Sequence, residues 1–316
     1  MLKIRPFDPK EDYERVVEIN NLIWPLKLTV TELEQQDHNR DSEMFFKRFV
    51  AIRENSLVGF ALVRDPWEFT NKNYYSIKIS VHPDHRNKGI GGALYKQLLK
   101  SLGGLKVDTI MAETYEDKDE AIDFLRNRGF KESIRLPRSI LELSKFNDNQ
   151  FKDDLEKVKE TKIKIITVKE LATIDKNWEE NLWRVHVECM KDVPSTVELF
   201  EMPLEQYKRN VLEQMDLNYW VVARDGKKIV GLSILWKDEA EPNKMYTSLT
   251  GVIKNYRRKK IATAMKVRLL QEAKREPEIE YIETENEENN PMFQLNLRLG
   301  FQRQPAKIGF KKKISK

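Results

Sequence analysis

Residues 79–92 of the chain read ISVHPDHRNKGIGG, and residues 250–263 read TGVIKNYRRKKIAT. The second segment repeats the first in one register, and the same offset carries Gly129-Phe130 onto Gly300-Phe301. Two unrelated landmarks that share a register indicate a duplicated domain, and such a repeat determines how the rest of the sequence is interpreted. The matched positions pair Val81 with Val252, Arg86 with Arg257, and Ile90 with Ile261.

The repeated segment has the pattern of a backbone anion site. An apolar strand ends at Val81, and residues 86–91 open a helix whose later positions are apolar at helical spacing. The start of a helix offers unpaired N–H groups and a partial positive charge, and glycine lets a ligand approach the backbone closely. The segment therefore predicts a site for a diphosphate. Its order, Arg-x-x-Gly-x-Gly, is neither a Rossmann nor a Walker pattern.

This segment resembles the acetyl-CoA-binding segment of the GCN5-related N-acetyltransferases (GNAT), which reads Val-x-Pro-x-x-(Arg/Gln)-x-x-Gly-x-(Gly/Ala). The second copy departs from it at Lys260, where the family has glycine. The family's last helix closes with (Leu/Arg)-Gly-Phe, which both copies contain, so the resemblance covers nearly the whole chain. The matching residues are Val81, Pro83, Arg86, Gly89 and Gly91 in the first copy, and Val252, Arg257 and Ala262 in the second.

The C-terminal region resembles the tandem members of this family, such as the mycothiol synthase-like acetyltransferases. Their second domain ends in Thr-x-Asn, then Asn-x-x-Met, then Asn-x-x-Leu-Gly-Phe. The corresponding segments here begin at Thr284, Asn289 and Asn296, and the first contains Asn286. Asparagine prefers caps and turns to helix interiors, so helix capping is the alternative explanation for one of these residues.

The resemblance implies that acetyl-CoA is the co-substrate and that its phosphates bind at the helix starts. No metal is expected, because His82 and His85 lack a third ligand at a sensible spacing. The implied cofactor-binding residues are Val81, Arg86, Asn87, Lys88, Gly89, Ile90, Gly91 and Gly92 in the first copy, and Val252, Arg257, Arg258, Lys259, Lys260, Ile261, Ala262 and Asn289 in the second.

The implied reaction is direct attack of an amine on the acetyl thioester within a ternary complex. It takes place in a V-shaped gap, between strands 74–81 and 107–114 or between strands 246–252 and 279–285. A backbone N–H near Val81 or Val252 would polarise the thioester carbonyl. Many relatives protonate the leaving thiolate with a tyrosine of the last helix, but Leu125 and Asn296 occupy the matching positions.

The predicted catalytic residues are Asn286, Asn296 and Glu113. Glu113 aligns by offset with Thr284 and is the preferred base, while an ordinary surface carboxylate is the alternative. Tyr115, Glu283 and Tyr246 are further acid or base candidates nearby. Cys189 is predicted on a helix far from both motifs, so acyl-cysteine chemistry is not expected.

Two functions from different classes fit these patterns. The first is an acyl-CoA-dependent N-acetyltransferase that acts on a small-molecule or protein amine, with catalysis in the second copy and CoA binding in the first. The second is a non-catalytic or partly degenerate acyl-CoA-binding or sensing protein, which the missing tyrosines and Lys260 favour.

Composition excludes several other classes. The 316 residues contain 56 basic and 51 acidic side chains, interleaved rather than concentrated as a nucleic-acid binder requires. The single cysteine allows no disulfide framework, and no apolar run approaches the roughly 20 residues that span a bilayer. These features predict a cytoplasmic protein without membrane or nucleic-acid partners.

Strands and helices follow in the same order in both copies. This order predicts an α/β (α+β) fold of two tandem GNAT-type domains, each a mixed, mostly antiparallel sheet flanked by helices. The predicted ranges are 1–145 for the N-terminal domain, 146–160 for a linker with a short polar helix, and 161–316 for the C-terminal domain. Each domain is expected to supply its own final strands, up to Leu143 in the first and over 301–312 in the second.

Overall fold

The computed structural model describes residues 1–65, 73–194 and 202–314. Its contacts divide the chain into two compact units. The first unit consists of Met1–Ile134 together with Lys307–Lys316, and the second of Arg135–Ala306.

The strands and helices are numbered in chain order. The strands are β1 (Leu2–Pro6), β2 (Phe46–Arg53), β3 (Ser56–Arg64), β4 (Tyr74–Val81), β5 (Thr109–Tyr115), β6 (Lys131–Glu142), β7 (Ile163–Thr167), β8 (Trp220–Asp225), β9 (Lys228–Lys237), β10 (Lys244–Val252), β11 (Tyr281–Glu285) and β12 (Gln302–Lys313). The helices are α1 (Tyr13–Ile23), α2 (Val30–His38), α3 (Ile90–Ser101), α4 (Asp119–Arg126), α5 (Lys152–Lys159), α6 (Val168–Ile174), α7 (Trp178–Met190), α8 (Leu204–Tyr207), α9 (Ile261–Ala273) and α10 (Pro291–Arg298).

Both units repeat one plan. In the first, β1 to β4 form an antiparallel meander, and β4 then pairs in parallel with β5. In the second, β7 to β10 form the same meander, and β10 pairs in parallel with β11. The predicted mixed α/β fold, with sheet flanked by helices in each unit, is confirmed.

The last strand of each unit comes from the other copy of the repeat. Residues Lys307–Lys313 of β12 pair antiparallel with β5 in the first unit. Residues Arg138–Glu142 of β6 pair antiparallel with β11 in the second. The expectation that each copy supplies its own final strand was therefore wrong, because a strand's pattern does not specify which edge it joins.

Residues 146–160 are part of the second unit's core rather than a free linker. They contain the predicted helix, α5, but Phe146, Phe151 and Val158 are buried in the same cluster as α9. These apolar side chains are widely separated in a charged segment, so the sequence shows no continuous apolar run there.

Each sheet buries apolar side chains on both faces. In the first unit, α3 places Ile90, Leu94 and Leu98 against one face at helical spacing. Side chains of α1, including Val16 and Ile19, cover the other face. The second unit repeats this arrangement with α9 on one face and α7 on the other. The two faces of each parallel strand pair are therefore chemically distinct.

Candidate active site

The first anion site, residues 86–91, leads from β4 into α3. Asn87 and Gly89 adopt left-handed backbone angles, with φ of 58° and 77°. The Arg86 Nε donates to the carbonyl of Val81 at 3.3 Å, which ties the loop to the end of the strand. No side chain caps α3, so the N–H groups of its first turn have no intrahelical partners and are available to an anion.

The second anion site, residues 257–262, has the same backbone. Arg258 and Lys260 take the two left-handed positions, with φ of 63° and 62°, and the Arg257 Nε donates to the carbonyl of Val252 at 2.8 Å. Lys260 thus retains the loop that glycine forms in the first site, at a cost of about 1–2 kcal/mol for a side chain in this conformation.

The charge of Lys260 is engaged by α5. Its Nζ lies 3.1 Å from Asp154 Oδ1, and Arg298 Nη2 donates to Asp154 Oδ2 at 2.7 Å. Burial would raise the pKa of Asp154, but the hydrogen bonds from Arg298 and Lys260 outweigh it and lower the pKa. An anion at this site would therefore share the positive charges of Lys260 and Arg298 with the Asp154 carboxylate.

We expect Lys260→Ala to weaken CoA binding at the second site a few-fold at low salt and less at high salt, because screening already removes part of the attraction. Lys260→Gly loses the same charge but relieves the left-handed strain, so its free energy of unfolding should exceed that of the alanine variant by about 1 kcal/mol. Calorimetric titration with CoA at two salt concentrations, with urea unfolding, tests both. A salt-independent loss of affinity would indicate a steric or folding role instead.

Both parallel strand pairs diverge into a gap. In the first unit the pairing of β4 with β5 ends at Ser76 and Met111, which leaves the first gap between residues 77–81 and 112–115. In the second unit the pairing of β10 with β11 ends at Tyr246 and Glu283, which leaves the second gap between residues 247–252 and 284–286. In each unit the pairing thus ends within the two strands that are predicted to form the V-shaped gap.

The second gap also contains a β-bulge. The register between β10 and β9 shifts between Thr247 and Thr250, whereas β4 pairs with β3 without a shift from Ser76 to Val81. A bulge leaves one residue outside the ladder and re-aims the backbone beside it. The bulge is thus a better location for a carbonyl-polarising N–H than Val252 itself, and no sequence pattern indicated it.

The structure brings together the two asparagines predicted to act in the second unit. Asn296 Nδ2 donates to Asn286 Oδ1 at 2.6 Å. Asn296 is fully buried, and its Oδ1 has no partner among the described residues. Asn286 continues the face of β11 that carries Ile282 and Thr284, which is the α9 face. Its own amide is thereby fixed at the mouth of the second gap.

The other asparagines of this segment have local roles. Asn289 is exposed, and its backbone N and its Nδ2 both donate to Glu287 at 2.9 Å. Asn290 caps α10, because its Oδ1 accepts from the N–H of Met292 at 3.0 Å. Capping therefore belongs to Asn290, and the structure does not bring Asn289 to the Asn286–Asn296 pair.

Glu113 lies in the first unit and is exposed. Its alignment with Thr284 was wrong, because the paired core residues Tyr75–Ile110 and Met245–Ile282 are equivalent. Glu113 then corresponds to Glu285. The longer connection before β11 produces this difference from the constant offset.

On the α1 face, the chain's own side chains fill the first gap. Lys78 donates from Nζ to Asn20 Oδ1 at 2.7 Å and lies 4.4 Å from the centroid of the Trp24 ring. The Trp24 Nε1 donates to Ser80 Oγ at 3.0 Å, and its ring meets Tyr115 edge-on at 5.8 Å. Burial lowers the pKa of Lys78 to about 8, against an opposing contribution from the Glu113 carboxylate.

Cys189 lies against the second motif, not far from it as predicted. A Cβ added to Gly251 would lie 2.5 Å from the Cys189 Cβ, so α7 packs on β10 here only because residue 251 is glycine. Burial raises the pKa of the Cys189 thiol to about 12. A protonated thiol is a poor nucleophile. Acyl-cysteine chemistry is therefore not expected because of the raised pKa, and not because Cys189 is distant from the motif.

Two of the alternative acid or base candidates meet at the closed end of the second gap. Glu283 accepts from Arg138 Nε at 2.7 Å, and Lys244 Nζ lies 3.9 Å away. Burial raises the pKa of Glu283, and the opposing effect of Arg138 and Lys244 does not cancel this increase. The Glu283 Oε2 has no hydrogen-bond partner within the described ranges, and the Tyr246 hydroxyl lies near both Glu283 and Asp238. Arg138, from β6, was not predicted from the sequence.

A second unpredicted residue, Lys266 of α9, lies on the opposite face of this gap. It is 5% exposed, and its closest charged or aromatic contact in the described chain is the Phe301 ring, 5.9 Å from Nζ. Burial lowers the pKa of Lys266 to about 7. It lines a small cavity together with Ser233, Leu235, Thr247, Leu269, Leu270, Leu299 and Phe301.

We expect Lys266→Met to raise the free energy of unfolding by on the order of 3 kcal/mol at pH 6. The lysine's pKa is lower in the folded state than its ordinary 10.5, so its destabilising effect is complete below about pH 7 and declines as pH rises toward 10.5. The gain should therefore shrink by pH 9. Urea unfolding at both pH values measures it, with the exposed Lys96→Met of α3 as the control. An equal gain at both pH values would contradict the assignment of a buried, titrating amine.

Residues 13–130 and 180–301 each match the sequence model of the Acetyltransferase (GNAT) family, and the chain belongs to this family. The family resemblance predicted from the two motifs is confirmed. Membership supports acyl-CoA-dependent acetyl transfer as the general activity. A search of curated proteins found no match.

Solved structures share the two-unit fold. A tandem GNAT protein from the clavulanic acid biosynthesis pathway, solved without AcCoA, has a TM-score of 0.76 at 16% identity, over 100% of this chain and 99% of that one. A GCN5-related N-acetyltransferase from Sphaerobacter thermophilus gives 0.69 at 16% identity, over 100% and 96%. A glucosamine N-acetyltransferase region of a fungal multi-domain GH3 beta-N-acetylglucosaminidase gives 0.72 at 15% identity, over 98% and 38%.

The described ranges contain neither a helix of the length and apolarity needed to cross a bilayer nor a cluster of three or more His, Cys, Asp or Glu side chains suited to a metal ion.

Proposed function

We propose that the chain is an N-acetyltransferase in which the second unit transfers the acetyl group and the first unit binds acyl-CoA. The observation that carries this proposal is the Asn286–Asn296 pair at the mouth of a gap that also contains a bulge. The first gap has neither feature, since Thr114 and Leu125 occupy the places of the two asparagines. Its α1 face is also filled by Trp24 and Lys78.

In this proposal acetyl-CoA is held at both of its ends. The helix start at residues 257–262 binds the diphosphate, and the free amide N–H of Asn286 donates to a carbonyl of the pantetheine arm. Asn296 is a positioning residue, because it acts by fixing Asn286. The backbone beside the β10 bulge donates to the thioester carbonyl as negative charge develops there. Holding the amine against this carbon supplies much of the rate.

The acceptor amine must lose a proton before or as it attacks. In the second unit, Glu283 is better placed for this than Glu113, which belongs to the first. Its raised pKa brings it nearer to neutral pH, where a general base is most effective. The Tyr246 hydroxyl, beside it at the closed end of the gap, is the proposed proton donor to the departing thiolate.

An amine-library screen that follows CoA release tests the proposal. We expect turnover with at least one small-molecule or peptide amine, and mass spectrometry should show the acetylated product. The filled first gap favours a second candidate function, an acyl-CoA-binding or sensing protein. Stoichiometric retention of CoA by the purified protein, with no turnover on any amine, would support that function and contradict the enzyme.

A further inference from the structure

The α1 face of the first gap contains a primary amine, the Nζ of Lys78. This is the position that an acceptor amine would need to occupy for acetyl transfer in this gap. Lys78 lies on β4, two residues beyond the last residue paired with β5. Its side chain is on the α1 face, since Ile77 on one side of it packs toward α3. Asn20 of α1 and Trp24, the residue that follows this helix, hold its Nζ. The amine is therefore ordered at the closed end of the gap.

The first anion site lies at the other end of the same gap. From Val81, next to that site, back to Lys78 is three residues, and an extended strand rises about 3.3 Å per residue, or about 10 Å in all. An extended pantetheine arm covers more than this length. A diphosphate bound at residues 86–91 can thus place its thioester beside Lys78.

We infer that Lys78 is itself an acyl acceptor, modified by the acyl-CoA that binds at the first anion site. This inference rests on the proposed binding of acyl-CoA to the first unit. The unprotonated Lys78 Nζ attacks the thioester carbon, an N–C bond forms, and the C–S bond breaks. The amine loses its proton to water or to Glu113, and the CoA thiolate takes one up. The products are Nε-acetyl-Lys78 and free CoA, and no other reactant is needed.

The electrostatic surroundings of Lys78 favour this reaction. Burial lowers its pKa to about 8, so an appreciable fraction of the amine is neutral near physiological pH. The charged groups that act on it are Glu113 of β5, which favours the ammonium, and Arg48 of β2 and Arg64 of β3, which oppose it. Asn20 of α1 and Trp24, which follows this helix, are its neutral contacts on this face.

A neighbouring lysine shows what distinguishes Lys78. Lys27 is also partly buried close to Trp24, but its Nζ donates to the main-chain oxygens of Asn21 and Trp24 at 2.6 and 3.1 Å. These two hydrogen bonds tie the Lys27 Nζ to the main chain. We therefore expect Lys27 to remain unmodified, which makes it an internal control.

The experiment is incubation of the full chain with isotopically labelled acetyl-CoA, followed by intact-mass measurement and peptide mapping. One label per chain is expected, at Lys78, at a rate that rises with pH and levels off above about pH 8. Lys78→Arg should remove the label. Gly89→Glu, which disrupts the first anion site, should lower labelling of Lys78 at least tenfold and leave exposed lysines such as Lys96 as they were.

Three outcomes would overturn the inference. In the first, Lys78 stays unlabelled although calorimetry shows that CoA binds at the first anion site. The proposed function would remain intact in that case. Another is equal labelling of Lys78 and Lys96, which indicates chemical acetylation in solution. The third is unchanged labelling of Lys78 in Gly89→Glu. Absence of CoA binding at the first site would instead count against the proposed function.

Discussion

Turnover should fall by well over tenfold when Asn286 and Asn296 are both replaced by alanine. A tenfold loss corresponds to about 1.4 kcal/mol of activation free energy. The double variant removes a 2.6 Å hydrogen bond and the amide that it fixes at the mouth of the second gap. Because Asn296 is fully buried, alanine there removes a packed polar group and not a surface contact. Steady-state kinetics with an amine from the screen measures the loss.

Asn289→Ala is the matched control for the asparagine pair. It removes an asparagine from the same segment, but Asn289 is exposed, and its side-chain amide bonds to Glu287 of the same turn. It should keep turnover near the wild-type value. Urea unfolding of the double variant separates lost chemistry from lost folding. Full activity in the double variant, combined with loss of activity in Gly89→Glu, would reverse the roles of the two units.

Gly89→Glu should abolish CoA binding at the first anion site. Gly89 has a φ of 77°, and a Cβ built there meets nothing within 4 Å, so a glutamate side chain would extend into open space beside the start of α3. Its negative charge would take the place of the diphosphate and repel it. Calorimetry on the full chain should show the CoA stoichiometry fall from two to one.

Gly104→Glu is the control for the backbone strain of this change. Gly104 has a φ of 91° and equally open surroundings, but it lies in the loop after α3, away from both anion sites. It should show the same modest destabilisation and an unchanged stoichiometry. A Gly89→Glu protein that still binds two CoA molecules would show that residues 86–91 are not a CoA site.

The repeat, the fold and the loop backbone of the two predicted anion sites could be predicted from the sequence because their signals are local. A valine-ended strand, a left-handed loop and an amphipathic helix require particular residues at fixed spacings. Asn286 and Asn296 could be named as candidates for the same reason, since both belong to short motifs, but the contact between them was not predicted. Lys260 shows the limit of this argument, because a lysine occupies the left-handed position that a glycine would be expected to fill.

The remaining features depend on contacts between distant parts of the chain. The chain between the second anion site and β11 is one residue longer than the chain between the first site and β5, so a constant offset misplaced Glu113. Cys189 touches Gly251 only after α7 has packed on the sheet. Lys78 and Lys266 each look like an ordinary polar residue of a strand or a helix, and only the structure shows that burial lowers the pKa of both.

The exchange of final strands has a consequence for biosynthesis. The ribosome completes nearly the whole N-terminal copy before it makes β12, yet β5 has its antiparallel neighbour only when Lys307–Lys313 arrive. Until then the nascent chain displays an unpaired strand edge, which is open to pairing with other chains. A stop codon or a protease cut near residue 300 would thus damage the unit that was synthesised first, at the opposite end of the sequence.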